Sequence, residues 1–292
     1  MKTNKSRKNN QHWSSLQKII RPVVYQVVLL VILMILMCVI VRLHNRRKPI
    51  SILTPMSSFL AFYTVFVGLS NNVANVVHDP PTRNSDSYFF SNNHDTLKRA
   101  KEKGWIPVLL TNTTVGSVDE SVHNIEAKHV KVQPHLYPQL TPYMWTVFLD
   151  SKRKVNAQKI TDFIIHRTTP KDSLFLPRHN FRQPPHLDNE LTDSYNQPRY
   201  VEQRDKINKY VQFRRDVYAR DITEADDRIF YMCNVILRNM RHPMTRVVNE
   251  MWWNEINACC IQDQVSFYFV SIQHASHIKE LPSECLDKST FR

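Results

Sequence analysis

The hydrophobic positions of this sequence form one long uninterrupted run near the N-terminus and, after it, many short runs separated by polar residues. The long run, Val23 to Val41, contains no charged residue and a single amide, Gln26. As a helix these 19 residues would span roughly 28 Å, close to the hydrocarbon thickness of a bilayer. A cleaved signal peptide has a shorter apolar run that ends in small residues, whereas a basic segment starting at Arg42 follows here. The pattern therefore predicts an uncleaved transmembrane signal anchor.

The basic residues on either side of the anchor predict its orientation. Six Lys and Arg residues precede the run and four follow it. Because the side with more Lys and Arg tends to remain in the cytosol, residues 1–22 are predicted to be a cytosolic tail. The remainder would then be lumenal, as in a single-pass type II membrane protein, with residues 42–57 as a stem.

A second uncharged stretch, residues 50–69, admits two interpretations. It contains Pro55, and its apolar density lies in the β-branched and aromatic run Phe59 to Val67, which ends at Gly68. That composition favours a short buried strand. A second membrane segment stays open as the alternative, since an uncharged stretch of this length is able to insert.

After this stretch, short apolar runs alternate with amphipathic segments as far as residue 280. Strands are predicted at Tyr88–Ser91, Trp105–Leu110, Met144–Leu149, Ser173–Leu176 and Ile229–Leu237. A helix is predicted at Thr96–Lys103, with Asp95 as its cap and Gly104 as its stop. Further helices are predicted at 158–167, at Tyr200–Tyr218, from Pro243 onward and from near Asp263. The alternation predicts one α/β domain over residues 58–280, followed by a tail, 281–292.

The charge of the chain is concentrated around the predicted anchor. The formal charge is +13, but residues 1–48 hold ten Lys and Arg residues and no Asp or Glu. Since the rest is nearly neutral, the basic composition does not indicate nucleic-acid binding, and no nucleic-acid partner is expected. The three glycines are far apart in sequence, which excludes the common glycine-rich phosphate loops.

Several motif classes are absent, and the cysteines do not form a metal motif. The sequence has no GxSxG, no HExxH and no protein-kinase motif set, which argues against serine hydrolases, zincins and kinases. No CxxC pair occurs, and the adjacent Cys259 and Cys260 are poorly placed to bridge each other. Asn112-Thr113-Thr114 is a glycosylation sequon in a predicted loop, which suits a lumenal domain.

Asp150 is the first candidate for chemistry, because it directly follows a predicted buried strand. Ligands of α/β sheets bind at the carboxyl ends of strands. A carboxylate there is a hard oxygen ligand suited to a divalent cation on a pyrophosphate. The alternative is a surface Asp that starts a turn before Ser151 and Lys152.

Three further groups carry weaker candidates. Asp263-Gln264 follows an amphipathic helix, and Asp263 is either functional or a helix cap. Arg178-His179 follows a short strand, where a guanidinium suits phosphate oxygens, although two solvated side chains are the simpler interpretation. Trp252 is expected to pack in the core and Trp253 to be partly exposed.

The order of these features resembles a family of glycosyltransferase-like proteins named for turgor-regulation-defect and mucilage-related plant proteins. The resemblance covers roughly residues 58–275. The segments that carry it are Phe62-Tyr63-Thr64-Val65-Phe66-Val67-Gly68, Tyr88-Phe89-Phe90-Ser91-Asn92-Asn93, Gly104-Trp105, Lys131-Val132-Gln133-Pro134-His135 with Tyr137, Trp145-Thr146-Val147-Phe148-Leu149-Asp150-Ser151, Arg178-His179, Val235-Ile236-Leu237-Arg238-Asn239, Met251-Trp252-Trp253-Asn254-Glu255-Ile256 and Asp263-Gln264-Val265-Ser266-Phe267.

The resemblance implies a GT-A-like α/β domain with a mixed, mainly parallel sheet behind a type II anchor, typically in the Golgi. It implies a nucleotide-sugar donor, a glycan, glycoprotein or lipid acceptor, and a divalent cation, Mn²⁺ or Mg²⁺, held by Asp150. His179 and Asp263 would take catalytic roles at the donor or acceptor. The donor-binding residues implied are Tyr63, Thr64, Asn92, Arg178 and Gln264.

The leading hypothesis is therefore a membrane-anchored glycosyltransferase of the secretory pathway that acts with a metal ion. Two departures from the family pattern favour a second hypothesis, a catalytically inactive relative that binds a glycan or a partner: Ser151 stands where the family has Gly, and Gln262 where it has Arg. A third hypothesis is a membrane-associated lipid hydrolase, which would require residues 50–69 to lie in the bilayer.

Overall fold

Short runs of β-branched and aromatic residues form the strands of one sheet, as the sequence pattern predicts. The computed structural model describes residues 59–68, 76–111, 120–151, 153–179, 186–218, 230–260 and 262–287, all of which belong to one compact unit, Met56–Arg292. The strands are β1 Leu60–Val65, β2 Asp86–Ser91, β3 Ile106–Leu109, β4 Trp145–Leu149, β5 Leu174–Leu176, β6 Val235–Asn239 and β7 Ile278–Glu280.

The sheet is mixed and mainly parallel. Its described strands lie in the order β3-β2-β1-β4-β6-β5-β7. β1 pairs in parallel with β2 and β4, and β2 with β3, while β6 runs antiparallel to both of its neighbours, β4 and β5. β7 pairs in parallel with β5. The carboxyl ends of β1 to β5 therefore point to one edge of the sheet, here called the carboxyl edge.

Helices cover both faces of the sheet. They are α1 His94–Glu102, α2 Glu120–Val132, α3 Ala157–Arg167, α4 His186–Tyr195, α5 Arg204–Val217, α6 Pro243–Cys259 and α7 Asp263–Gln273. On one face, Tyr63 and Phe148 pack in a common core with Val130 of α2, Trp252 of α6 and Phe267 of α7. This face is called the α6 face.

The opposite face, called the α3 face, has its own core. Phe62 and Val147 pack with Ile160 and Phe163 of α3. The smaller cluster beside it joins Phe89 of β2 to α1. Because side chains alternate along each strand, neighbouring residues such as Phe62 and Tyr63 contribute to different cores.

The structure confirms most predicted elements and corrects several boundaries. Leu60–Val65 is an inner strand paired on both sides, as the strand interpretation of residues 59–67 requires. The predicted strand Ile229–Leu237 is instead Val235–Asn239, because Phe230 and Met232 pair irregularly with the chain after β5 before the ladder to β4 begins. Among the elements that the sequence pattern did not predict are α2, α4, β7 and a 3-10 turn, Pro198–Gln203, that precedes α5.

No helix within the described ranges combines the length and apolar character needed to cross a membrane. The predicted anchor, residues 23–41, and the first half of the second uncharged stretch lie outside those ranges.

Candidate active site

Asp150 lies at the carboxyl edge, where β4 ends. Its backbone N–H donates to the carbonyl of Asn234 over 2.8 Å, which extends the β4–β6 ladder by one residue. The N–H of Arg153 then donates to the Asp150 carbonyl over 2.8 Å and closes a turn. The side chain of Asp150 is exposed. The sequence-based placement of a carboxylate at a strand end is therefore correct.

A cavity of about 250 Å³ adjoins Asp150. Thr64, near the end of β1, lines the same cavity, and its buried hydroxyl oxygen has no hydrogen-bond partner among the described residues. Charged side chains also line it: Lys103, Arg153, Lys154, Asp79 and Asp287. The cavity thus brings together a predicted metal ligand, a predicted donor-binding hydroxyl and several cationic groups.

The residues present fit a divalent cation that arrives with its substrate. Within the described ranges, no group of three or more His, Cys, Asp or Glu side chains is placed to hold a metal ion. Mg²⁺ does not require such a cage, because it commonly binds through one or two carboxylates, substrate phosphates and water. Asp150 is an exposed carboxylate, and Asp79 and Asp287 line the same cavity, so one or two carboxylates are available to such an ion.

Asn92 fixes the chain that leaves β1. Its side-chain oxygen accepts a hydrogen bond of 3.2 Å from the N–H of Gly68. Gly68 has a φ of 139°, a conformation that side chains other than glycine rarely adopt. Asn92 therefore joins the end of β2 to the end of β1 at the carboxyl edge.

Asp263 is buried at the start of α7 and is paired with two lysines of α2. Lys128 donates to Asp263 Oδ1 over 2.8 Å, and Lys131 forms a second ion pair with Oδ2. Burial alone would raise the pKa of the Asp263 carboxyl, but the two ammonium groups outweigh it and hold the pKa well below its usual range. Asp263 is consequently an ionised group enclosed by the fold.

Tyr63 is enclosed on the same face of the sheet. Its hydroxyl donates to the Lys131 carbonyl over 2.9 Å and accepts from Arg238 Nη1 over 2.9 Å. Burial raises the pKa of Tyr63 to about 12. The phenol is therefore neutral, and its hydroxyl is already used within the core.

The cavity beside Asp150 and the Asp263 ion pair lie on different faces of the sheet. Lys131 Nζ lies 5.0 Å from the ring centroid of Phe148 on the α6 face. The strand residues Thr64, Phe89 and Leu149 that line the cavity belong to the α3 face, where Leu149 packs in the core of α3 and Phe89 packs with α1. Asp263, Lys128 and Lys131 are therefore not among the described residues that line this cavity.

Arg178 and His179 lie at the same edge, beyond the end of β5. Arg178 forms an isolated bridge with Tyr231, and the N–H of His179 donates to the Phe230 carbonyl over 2.8 Å. Arg178 is exposed and His179 is half-buried. Because β5 is separated from β4 by one strand, the two residues lie about 10 Å along the edge from Asp150. They do not line the cavity beside Asp150.

Gln262 and Gln264 begin α7. Gln262 caps the helix by accepting from the N–H of Gln264 over 3.4 Å. The amide of Gln262 also donates to Glu190 over 2.8 Å and to Ser194 over 2.7 Å, both on α4. The residue that replaces the family's Arg is thus a buried amide that connects α4 to α7, while Gln264 itself is half-buried.

The sequence did not reveal the lysines that pair with Asp263. Lys128 and Lys131 are three residues apart, the spacing that places two side chains on one helical face. Detecting α2 in the sequence would have shown this pair, although not its carboxylate partner 135 residues away.

No protein-family model matches this sequence, and no curated protein sequence matches it. Among solved structures, the chain is similar to mouse xyloside xylosyltransferase 1, with 11% identity and a TM-score of 0.45 over 77% of this chain and 85% of that one. It is also similar to the bifunctional glycosyltransferase WbbM, with 11% identity and a TM-score of 0.42 over 78% of this chain and 40% of that one. The mannosyltransferase Ktr4p from S. cerevisiae gives 8% identity and a TM-score of 0.39 over 78% and 70% of the two chains. At these identities and scores the likeness assigns neither a family nor an activity to this chain.

Proposed function

We propose that this protein is a glycosyltransferase that moves a sugar from a nucleotide-sugar donor to a glycan, protein or lipid acceptor. The observation that carries the proposal is the position of Asp150. It is an exposed carboxylate at the carboxyl edge, beside a cavity with cationic side chains. Binding at the carboxyl ends of parallel strands is the general behaviour of open α/β sheets.

The donor diphosphate would lie in the cavity beside Asp150. Lys103, Arg153 and Lys154 supply positive charge around it, and charge-assisted hydrogen bonds to phosphate are stronger than neutral ones. Thr64 lines the same cavity, and its buried hydroxyl, which has no partner among the described residues, would donate a hydrogen bond to the donor after rotation of the side chain.

Asp150 would hold a divalent cation, Mn²⁺ or Mg²⁺, together with the donor phosphates. When bound, such an ion neutralises the negative charge that develops on the leaving diphosphate. Arg178 and His179, further along the same edge, would contact the diphosphate or the transferred sugar.

Asp263 would help to position the acceptor by holding Lys128 and Lys131 in place. A carboxyl group with so low a pKa is a weak base, and its oxygens already bind Lys128 and Lys131. A positioning role therefore agrees better with the geometry than direct proton abstraction. Lys128 is the more exposed of the two lysines and would place its ammonium near the acceptor hydroxyl.

The cellular setting belongs to the proposal as well. The apolar run 23–41 would anchor the protein as a single-pass type II protein of the Golgi or another secretory membrane. Its basic flank, residues 1–22, would remain in the cytosol, so that the domain beginning at residue 58 would be lumenal.

The test is the substitution Asp150→Asn in the full chain, with Asp205→Asn as the control because Asp205 is an exposed carboxylate on α5. In wild type and control we expect nucleoside diphosphates to raise the thermal unfolding temperature when Mn²⁺ is present. In Asp150→Asn we expect that shift and sugar transfer to be lost while the unfolding temperature without ligand is unchanged.

Equal transfer by Asp150→Asn and wild type would remove Asp150 from the mechanism. Glycan binding with no response to UDP, GDP or CMP in the presence of Mn²⁺ would instead favour the non-catalytic relative.

A further inference from the structure

A second cleft, of about 480 Å³, opens on the α6 face at the end of β3. Its lining comes from Val108 to Thr111 at the strand end, from Glu126 and His129 on α2, and from Tyr137 to Gln139 in the turn after α2. Its volume lies within the range of about 300–1,000 Å³ that small-ligand sites occupy. The cleft is separate from the cavity beside Asp150 and shares no lining residue with it.

An aromatic group with a fixed orientation forms the wall of this cleft. Tyr137 shares a hydrogen bond of 2.7 Å with His129 Nδ1, and its ring contacts the edge of Phe90 at 5.3 Å between centroids. The ring of His129 packs edge-on against Trp253 at 4.7 Å. Because these contacts hold the rings before any ligand binds, the wall is preorganised.

The rim of the cleft is apolar and exposed. Leu136 is 54% exposed and Leu109 is 41% exposed, and both line the cleft. A ligand that suits this surface has an apolar side to cover the leucines and the aromatic wall, and polar groups for Tyr137, His129 and Gln139.

The electrostatics of the cleft disfavour an anionic ligand. Burial lowers the pKa of His129, so the imidazole is neutral at physiological pH. Burial also raises the pKa of Tyr137 above its usual range. Glu126 adds an acidic group to the lining, and none of the described residues that line the cleft is Lys or Arg. The cavity beside Asp150, by contrast, is lined by three cationic side chains as well as three aspartates.

The position of the cleft relates it to the proposed transfer site. β3 and β4 end at the same edge of the sheet, three strand spacings apart. At about 4.8 Å per spacing this is about 14 Å, which is further than one sugar ring extends. A chemical group bound in the cleft would therefore be distinct from the group that receives the transferred sugar near Asp150.

We propose that this cleft binds an uncharged sugar unit of an oligosaccharide acceptor, remote from the hydroxyl that receives the transferred sugar. A pyranose ring has C–H groups for an aromatic wall and hydroxyls for the polar side chains, and it carries no charge. The proposal rests on the proposed transfer reaction and identifies the acceptor as a glycan longer than one unit.

The experiment measures binding of the full chain in detergent to an array of neutral oligosaccharides of defined length and to their constituent monosaccharides. Tyr137→Ala removes the wall, and Leu136→Asp places a charge on the exposed rim without disturbing a buried position. Phe213→Ala, which removes a 58% exposed aromatic side chain on α5, is the control. Binding of UDP and GDP with Mn²⁺ is measured in parallel.

We expect wild type and the control to bind at least one oligosaccharide more tightly than its monosaccharide. Each cleft variant should weaken this binding by roughly tenfold or more while nucleotide binding is unchanged. Unchanged oligosaccharide binding by a folded Leu136→Asp protein would overturn the inference, as would the absence of any oligosaccharide binding by wild type. Failure of nucleotide binding alone would contradict the transfer reaction, and with it the acceptor role of the bound glycan, while the binding of a neutral sugar by the cleft would still be supported.

Discussion

Two aspartates of the candidate site show how the environment of a residue determines its chemistry. Asp150 is exposed at a strand end, where it is accessible to a cation and a ligand. Asp263 is enclosed and bonded to two lysines. Both side chains are carboxylates at predicted element boundaries, so the sequence offers both as candidates, with Asp150 the stronger of the two. Only the ion pairs of Asp263 with Lys128 and Lys131 of α2 distinguish the buried carboxylate from the accessible one.

The substitution Asp263→Asn should destabilise the fold. It leaves the buried ammonium of Lys131 without its carboxylate, and breaking a buried pair in this way costs about 3–5 kcal/mol. Urea unfolding of the full chain at pH 7 measures the loss, with the exposed Asp162→Asn on α3 as the control. A loss below about 1 kcal/mol would show that the ion pair contributes little.

The same variant should show a pH dependence of defined sign. The pKa of Asp263 is lower in the folded state than in the unfolded state. Ionisation of Asp263 therefore contributes its full stabilisation at any pH above the unfolded-state pKa, which is about 3.9. This contribution is lost as the pH falls from there toward the folded pKa. The stability difference between wild type and Asp263→Asn should therefore be constant from pH 5 to 7 and narrow below about pH 4. A difference that instead widened on acidification would contradict the assignment.

At the scale of elements, helix ends show where sequence signals were sufficient and where they were ambiguous. The sequence predicts that Gly104 stops the helix after β2, and the helix ends at Glu102 with Gly104 at a φ of 100°. Its start was assigned to Asp95 as the cap, which is wrong. Asn93 accepts from the N–H of Thr96 over 3.1 Å, so the helix begins at His94 and Asp95 lies in its first turn.

Alanine substitutions should distinguish these two residues. Asn93→Ala removes the acceptor for an orphan helix N–H and should lower the free energy of unfolding by about 1 kcal/mol. Asp95→Ala removes only a favourable charge near the helix start, worth about 0.3–1 kcal/mol at low salt and less at high salt. Urea unfolding at 0.5 M NaCl separates the two effects. A larger loss for Asp95→Ala would contradict the observed cap.

At the scale of the whole molecule, the sheet gathers residues that are far apart in sequence. Asn92, Asp150 and Arg178 follow three different strands, and the shared direction of β2, β4 and β5 brings all three to one edge. The reversed strand β6 lies between β4 and β5, so Asp150 and Arg178 lie on opposite sides of its amino end. Strand order and strand direction therefore assemble the candidate site.

The proposed topology makes a prediction for the full chain in a secretory cell. Residues 23–41 should retain the protein in membranes after alkaline carbonate extraction, and a lumenal domain should carry an N-linked glycan at Asn112. Asn112→Gln should abolish the mobility shift caused by glycosidase, while Asn124→Gln, outside any sequon, should not. An unglycosylated domain that external protease digests in intact microsomes would contradict the lumenal orientation.

The sequence by itself determined the alternating α/β pattern, the strands around Tyr63 and Phe148, the helix that begins at Pro243 and the strand-end position of Asp150. These follow from local periodicity and from residues whose backbone preferences act over a few positions. The tertiary structure alone decided the reversed direction of β6, the pairing of Lys128 and Lys131 with Asp263, and the use of Gln262 to connect two helices. Those features depend on contacts between residues tens to more than a hundred positions apart, and no local pattern specifies which distant side chain will supply the partner.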